Sequence, residues 1–268
     1  MMRARTGFLV DAIFITHWHA DHFLGIIGLV QTLSFMGRRD PLPVYGPVWV
    51  HEAVSGIRSL SRFNIKFALQ SVEIKHGSSV RFDGYTVRAF ETSHGLSSVG
   101  YVLEEDPRSG RFNREKAMEL GVAPGPLFGR LQRGDSVRII KDGVEQEIHS
   151  HQVMGPPRTG RRVIYTGDTR PVRDSILEVC RGADLLIHDA TYDDESLDRA
   201  REVFHSTAGE AGMVAAAIGA RMLALVHVSS RYTSTASHIR DAEKRFGGKV
   251  IAPSDLEMIE IPFRDNGD

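Results

Sequence analysis

Several short apolar stretches of the chain end in polar residues. Residues 11–16 are mostly apolar and partly β-branched, which predicts a buried strand. Residues 24–36 carry apolar side chains close to the helical period, which predicts a helix. Alternation over residues 85–90 and the apolar runs 162–166 and 222–226 predict three further strands. The pattern therefore predicts four strands and, directly after the first of them, a helix.

Histidine and aspartate side chains follow these predicted strands at the point where each strand ends. The set comprises His17, His19, Asp21 and His22 after the first strand, and then His94, Asp168 and His227 after the three others. Because loops at the carboxyl ends of strands can meet at one edge of a sheet, we expect these distant segments to converge.

The spacing of the first group predicts a metal site. In extended backbone, His17 and His19 point to the same side and can bind one ion, while Asp21 and His22 reach toward a second position. Imidazole and carboxylate ligands without thiolate suit zinc or another first-row ion, and they favour a catalytic site over a structural one. The alternative is a solvated histidine-rich loop.

In combination these residues resemble the metallo-β-lactamase superfamily, through Thr16-His-x-His-x-Asp-His22, His94, Gly167-Asp168-Thr169 and His227. A second set of motifs is similar to the ribonuclease Z family of tRNA 3′-processing endonucleases. It comprises Gly100-Tyr101, the segment 124–134, Gly155-Pro-Pro157, His188-Asp-Ala-Thr-Tyr192, Phe204-His-Ser-Thr207 and the Ser-Ser-Arg-Tyr that follows His227.

The resemblance implies an α/β fold, namely an αββα four-layer sandwich formed by a single domain over residues 1–268. Within this domain, residues 103–160 would form a protruding arm insertion that binds tRNA. The resemblance also implies two zinc ions per subunit, although the same ligands would accept Mn²⁺ or Fe²⁺. One ion would be held by His17, His19 and His94, the other by Asp21, His22 and His227, with Asp168 bridging.

The same resemblance implies catalytic roles outside simple metal binding. Asp21 is expected to accept a proton from the attacking water, and His205 to stabilise or protonate the leaving 3′-oxygen. The family carries Glu where this chain has Asp189, so a shorter carboxylate is expected to support His205. The alternative for His205 is a helix-start residue, because residues 206–210 have the composition of a capping box.

The substrate implied is precursor tRNA, from which the 3′ trailer would be cleaved. In the segment 103–160, nine basic residues balance nine acidic ones, and Arg130 and Arg133 are expected to contact phosphates. Ser229, Arg231 and Tyr232 are expected to meet RNA near the acceptor end. The alternatives are an ordinary solvated insertion and simple loop packing.

Composition restricts how the chain can bind nucleic acid and in which cellular compartment we expect it. A net charge of −1 provides no global attraction for nucleic acid, so RNA binding must be local. The single cysteine, Cys180, excludes an intramolecular disulfide and is expected to be buried. No apolar stretch approaches the roughly 20 residues of a membrane-spanning helix, and no signal peptide is indicated. We therefore expect a cytoplasmic protein.

Two further expectations come from the resemblance. The family suggests a homodimer. Its histidine motif also follows several N-terminal strands, whereas sixteen residues precede His17 here, so we expect those strands to be missing from this chain. The functional alternatives are another phosphodiesterase or hydrolase of the same fold, and a tRNA-binding chain without activity.

Overall fold

A computed structural model describes residues 9–60, 64–171 and 174–264. The chain forms two compact units. The first, here called the core unit, comprises Met1–Glu104 and Arg162–Pro262; the second, called the insert, comprises Glu105–Arg161 and Phe263–Asp268.

The strands are β1 (Ile13–Phe14), β2 (Leu42–Gly46), β3 (Leu69–Glu73), β4 (Ser79–Phe82), β5 (Tyr85–Glu91), β6 (Val99–Glu105), β7 (Val137–Lys141), β8 (Val144–Ile148), β9 (Arg162–Tyr165), β10 (Leu185–Asp189), β11 (Met222–Val226) and β12 (Lys249–Ile251). The helices are α1 (Ala20–Phe23), α2 (Gly25–Phe35), α3 (Val50–Leu60), α4 (Arg114–Glu119), α5 (Pro126–Gln132), α6 (Ser150–Val153), α7 (Asp174–Cys180), α8 (Leu197–Glu202), α9 (Ala208–Ala217) and α10 (Ala236–Glu243), with a 3₁₀ turn at Asp194–Ser196.

Two sheets form the core unit within the described residues. The smaller sheet is parallel, in the order β1-β2-β3, with Ile13 opposite Val44 and Leu42 opposite Leu69. The larger has the order β12-β11-β10-β9-β6-β5-β4. Strands β9 to β12 are mutually parallel, whereas β6 runs antiparallel to β9. The carboxyl ends of the parallel strands therefore lie at one edge of each sheet.

The two sheets pack face to face between helical layers. Side chains of β1 and β2 meet those of β4, β5 and β6 in one apolar cluster, and the buried Tyr101 hydroxyl donates a hydrogen bond to the carbonyl of Ile15 at 2.5 Å. Helices α2 and α3 cover the smaller sheet, and α7, α9 and α10 cover the larger one. The predicted αββα sandwich is confirmed.

Most elements predicted around the candidate site are present. Helix α2 and strands β5, β9 and β11 match the predicted segments to within two residues. Strand β1 is shorter than predicted, since regular pairing with β2 covers only Ile13–Phe14. Asp21 and His22 lie in the one-turn helix α1 and not in an open loop. Among the described helices, none is long and apolar enough to cross a membrane.

The insert has its own apolar core, in which Ala117, Leu131, Val137, Ile148 and Val153 are buried. Strands β7 and β8 form the hairpin predicted around Asp142-Gly143; both turn residues have positive φ angles, as a tight turn there requires.

The two ends of the insert lie side by side. The Glu105 amide donates to the Arg161 carbonyl at 3.0 Å, and the Arg161 guanidinium forms two hydrogen bonds with the Glu105 carboxylate. Leu103 and Glu104, the first residues of the predicted insertion, belong to β6, where they pair with β9.

Candidate metal centre

The predicted ligands lie at the carboxyl ends of strands in the core unit. His17 and His19 follow β1, Asp21 and His22 lie in α1, His94 follows β5, Asp168 follows β9 and His227 directly follows β11. Because β5, β9 and β11 each lie between two strands and β1 pairs with β2, the loops start from fixed points and bring these side chains together.

Asp168 is the residue shared by the histidines. Its Oδ2 atom lies 3.2 Å from His22 Nε2, 3.4 Å from His227 Nε2 and 3.7 Å from His17 Nε2. The carboxylate is buried. One oxygen atom therefore faces three imidazole nitrogens, two from the segment that follows β1 and one from the residue that follows β11.

The remaining ligands complete two overlapping groups. His19 Nδ1 lies 3.2 Å from His94 Nε2, and with His17 and Asp168 these atoms lie within 4.8 Å of one another. On the other side, Asp21 Oδ2 lies 3.4 Å from His22 Nε2 and 4.0 Å from His227 Nε2. The second group is equally compact, and Asp168 and His227 also form a third group of this size with His205.

A glycine allows the Asp168 loop to approach the first histidine loop. Gly167 has a φ angle of +62°, and a Cβ atom there would lie 2.8 Å from the Thr16 side chain. A larger residue would therefore be strained in its backbone and would push against Thr16. The glycine before Asp168 thus keeps the carboxylate close to His17.

The side-chain chemistry fits a metal ion. His17 Nε2 is buried and has no hydrogen-bond partner among the described residues, although it points toward Asp168. Its other ring nitrogen, Nδ1, contacts Thr16 Oγ1 at 3.0 Å, and His94 Nδ1 contacts the Phe204 carbonyl at 3.0 Å. Hydrogen bonds of this kind orient histidines that ligate metals through the opposite nitrogen.

Electrostatics favour the neutral forms of His17 and His94 and the ionised form of Asp168, whereas the hydrogen bond with Asp168 raises the pKa of His22. Burial, followed by the neighbouring His22, lowers the pKa of His17 to about 3, and burial also lowers the pKa of His94. Burial alone would raise the pKa of Asp168, but the hydrogen bond from His22 and the nearby imidazoles lower it to about 2. Neutral imidazoles and an ionised carboxylate are the forms that bind divalent ions.

His205 and Asp189 lie beside the histidine group. His205 Nδ1 is 2.8 Å from Asp189 Oδ2, and the His205 ring lies 5.0 Å from that of His94 and 5.1 Å from that of His227. Burial opposes protonation of His205, but the hydrogen bond and charge of Asp189 raise its pKa above the ordinary value. The shorter carboxylate therefore still reaches the imidazole.

An ion pair that was not predicted from the sequence holds the loop that contains His205. The Arg170 guanidinium pairs with the Glu210 carboxylate and also donates to the carbonyl of His205. Glu210 in turn caps α9, as the composition of residues 206–210 predicted, with Thr207 as the N-cap. The sequence signal for this ion pair was Arg170, which directly follows the Gly-Asp-Thr motif.

The predicted substrate residues occupy different environments. Arg130, Arg133 and Arg231 are exposed, and Arg231 Nε donates to Ser229 Oγ at 3.1 Å. Tyr232 is half-buried; its hydroxyl donates to Asp193 at 3.0 Å and its ring packs on His238. The geometry of Tyr232 therefore corresponds to the loop-packing alternative.

Comparisons with known proteins show which family the chain belongs to. A family model described as "Beta-lactamase superfamily domain" matches residues 4–112 and 136–228. The chain is 49% identical to the ribonuclease Z of Methanosarcina acetivorans and 48% identical to that of Halorubrum lacusprofundi, over 98% and 99% of this chain and 85% of each relative.

Among solved structures, the fold is similar to that of the short form of human tRNase Z. The TM-score is 0.65 at 24% sequence identity, over 98% of this chain and 83% of that one. This likeness concerns the fold, whereas the two ribonuclease Z relatives are close enough in sequence to define the family. The chain belongs to the β-lactamase superfamily and, within it, to the ribonuclease Z family.

Proposed function

We propose that this chain is a metal-dependent endoribonuclease that removes the 3′ trailer from precursor tRNA by hydrolysis of a phosphodiester. The observation that carries the proposal is the position of Asp168 Oδ2 within 3.7 Å of three imidazole nitrogens. Relatives at up to 49% identity are ribonucleases Z, which supports the choice of substrate.

Two ions, which we propose to be zinc, fit the donor set. His17, His19 and His94 would hold one, Asp21, His22 and His227 the other, and Asp168 both. A pair of such ions lowers the pKa of water and offsets negative charge on a phosphate under attack. Mn²⁺ and Fe²⁺ suit the same nitrogen and oxygen ligands.

Two side chains have the positions and charges needed to move protons. The Asp21 carboxylate is 70% exposed and faces His22, so it can accept a proton while the site is open to solvent. His205 donates its Nδ1 proton to Asp189, and its raised pKa increases the fraction that also carries a proton at Nε2. That proton is available to the 3′-oxygen that leaves.

The insert supports binding of a folded RNA. Arg130 and Arg133 are exposed on it, and an open groove of about 560 Å³ is lined by Arg133, His149 and His151 among others. Arginine forms paired hydrogen bonds with phosphate oxygens, and folded RNA is recognised chiefly through backbone and shape. We assign Ser229 and Arg231 to phosphate contacts near the cleaved bond.

We propose that the chain acts in the cytoplasm on precursor tRNA, and that it forms the homodimer that the family suggests. Analytical ultracentrifugation at micromolar concentration should show a species of twice the 29.7 kDa monomer mass. A single monomeric species would contradict the proposed dimer.

The test uses three substrates with and without a chelator. A precursor tRNA with a 3′ trailer, mature tRNA and bis(p-nitrophenyl) phosphate are incubated with the purified chain and zinc. We expect cleavage of the precursor at the trailer junction, abolished by EDTA and restored by zinc. Hydrolysis of the small ester alone would favour another phosphodiesterase, and RNA binding without cleavage would favour a tRNA-binding chain.

A further inference from the structure

One hydroxyl group links a predicted metal ligand to the His205–Asp189 pair. Thr191 is buried, and its Oγ1 atom lies 2.8 Å from Asp189 Oδ1, 2.8 Å from His227 Nδ1 and 3.1 Å from His205 Nδ1. The two imidazole rings that it contacts are stacked, with 12° between their planes. Thr191 therefore lies where the metal centre and the proposed proton donor meet.

The number of available protons fixes the direction of these hydrogen bonds. Asp189 faces N–H donors from the backbone of Thr191 and Thr169, at 2.9 Å each, and from His205 at 2.8 Å. A carboxylate surrounded by N–H donors acts as an acceptor, so the single Thr191 hydroxyl proton is donated to Asp189. The hydroxyl oxygen is then left as an acceptor toward both imidazoles.

This direction determines which nitrogen of His227 carries its proton. His227 Nδ1 must donate to Thr191, which leaves Nε2 without a proton in the neutral ring. His227 Nε2 is the atom that faces Asp168 at 3.4 Å and Asp21 at 4.0 Å. The lone pair required of a metal ligand therefore points into the second ligand group.

We infer that Thr191 is a positioning residue whose hydroxyl fixes the tautomer and orientation of His227 and aligns it with His205. The inference rests on the metal-dependent function proposed above and extends it to a residue outside the ligand set. One carboxylate, Asp189, thus orients the proton donor His205 directly and the metal ligand His227 through Thr191.

The main chain of Thr191 is held independently of its hydroxyl. Its amide donates to Asp189 Oδ1 at 2.9 Å, and its carbonyl accepts from the Ser229 amide at 3.1 Å. Removing only the hydroxyl should therefore leave the backbone in place. Thr191→Val keeps the shape without the hydroxyl, and Thr191→Ser keeps the hydroxyl, so the two variants separate its chemistry from packing.

The experiment measures zinc binding by competition with a chromophoric chelator, in the full chain. We expect Thr191→Val to weaken the affinity for one of two zinc ions by about 10- to 100-fold, as loss of an orienting partner does in other metal sites. Thr191→Ser should restore it to near the wild-type value. Thr32→Val is the matched control, because its hydroxyl donates to the Gly28 carbonyl within its own helix, α2.

Precursor cleavage gives a second readout. Thr191→Val should lower kcat and leave KM for the precursor nearly unchanged, because the Thr191 carbonyl that holds Ser229 is kept when only the hydroxyl is removed. Wild-type zinc affinity in Thr191→Val, or an equal loss in the Ser variant, would overturn the inference.

A third readout separates this inference from the proposed function. In metal-free protein at pH 8, ¹⁵N NMR of the histidine rings should show the Nδ1–H form of His227, lost in Thr191→Val. This result would support the inference even if the chain cleaved no precursor tRNA. An Nε2–H form of His227 in the wild type would contradict it whatever the activity.

Discussion

His188 occupies a fully buried position at the end of β10. Its Nδ1 contacts the Asp189 carbonyl at 2.8 Å, whereas Nε2 has no hydrogen-bond partner within the described part of the chain. Burial lowers the pKa of His188 below its ordinary value of 6.5. The folded state therefore binds fewer protons at this residue than the unfolded state.

The sign of the pH effect follows from this difference. The stabilisation contributed by neutral His188 is complete above pH 6.5 and is lost as the pH falls below that value. The melting temperature of the wild type should therefore decrease relative to that of His188→Gln between pH 7.5 and pH 5.5, as measured by calorimetry. Parallel curves for the two proteins would contradict the prediction.

A substitution of Asp21 tests whether cleavage and RNA binding depend on different residues. Asp21→Ala should reduce precursor cleavage by at least about 100-fold, because it removes a proposed metal ligand and the proton acceptor. Affinity for the precursor, measured by filter binding, should change less than about threefold. Asp83→Ala removes an exposed carboxylate in the β4–β5 turn and serves as the control. A large loss of affinity in Asp21→Ala would show that the division is wrong.

Single residues differed in how far the sequence could predict them. The seven proposed ligands were predictable because each follows an apolar strand and matches a family motif. Thr191 was not, although it lies in the quoted run His188–Tyr192, because its role depends on a carboxylate and two imidazoles from separate loops. Hydrogen-bond direction is a property of the assembled site and leaves no pattern in the sequence.

The predictable elements near the site were those whose apolar residues form a recognisable pattern. Strands β5, β9 and β11 carry enough apolar residues to be recognised, and so does helix α2. Helix α1 has four residues, no buried side chain and no side-chain cap, so it shows no helical period. Yet α1 determines the direction in which Asp21 and His22 point, because residues one position apart on a helix turn diverge by about 100°.

Helix α4 in the insert depends on its N-cap. The Asn113 side chain accepts a hydrogen bond from the Lys116 amide at 2.9 Å. Asn113→Ala should destabilise this helix by about 1 kcal/mol, which corresponds to roughly fivefold faster hydrogen exchange of the α4 amides. Asn113→Asp keeps a capping oxygen and should exchange at nearly the wild-type rate. Equal exchange in all three proteins would contradict the role of the cap.

At the scale of the whole molecule, a net charge of −1 must be reconciled with a polyanionic substrate. Arginines on the insert can contact phosphates locally, although the total charge of the chain does not attract RNA. Arg130→Ala combined with Arg133→Ala should weaken precursor binding and reduce the slope of log affinity against log salt by about 1 per lost contact. Hydrolysis of bis(p-nitrophenyl) phosphate should be unaffected.

The control for this double variant is Arg88→Ala combined with Arg181→Ala. These arginines pair with Glu104 and Glu178 in the core unit. An unchanged salt slope in the insert variant, or an equal change in the control, would show that the insert arginines do not contact phosphate. The sequence indicated the insertion through its Gly and Pro punctuation, but its independent apolar core emerged only from the tertiary contacts.

The distance along the chain between the first and last proposed ligands has a consequence for protein synthesis. His17 and His227 are separated by 210 residues, and β11, which carries His227, pairs between β10 and β12. At about 5–20 residues per second, a ribosome needs on the order of 10–40 s to pass from one ligand to the other. During that interval the nascent chain contains the first histidine ligands but lacks His227. It therefore remains inactive as a nuclease while it is still attached to the ribosome, close to ribosomal and transfer RNA.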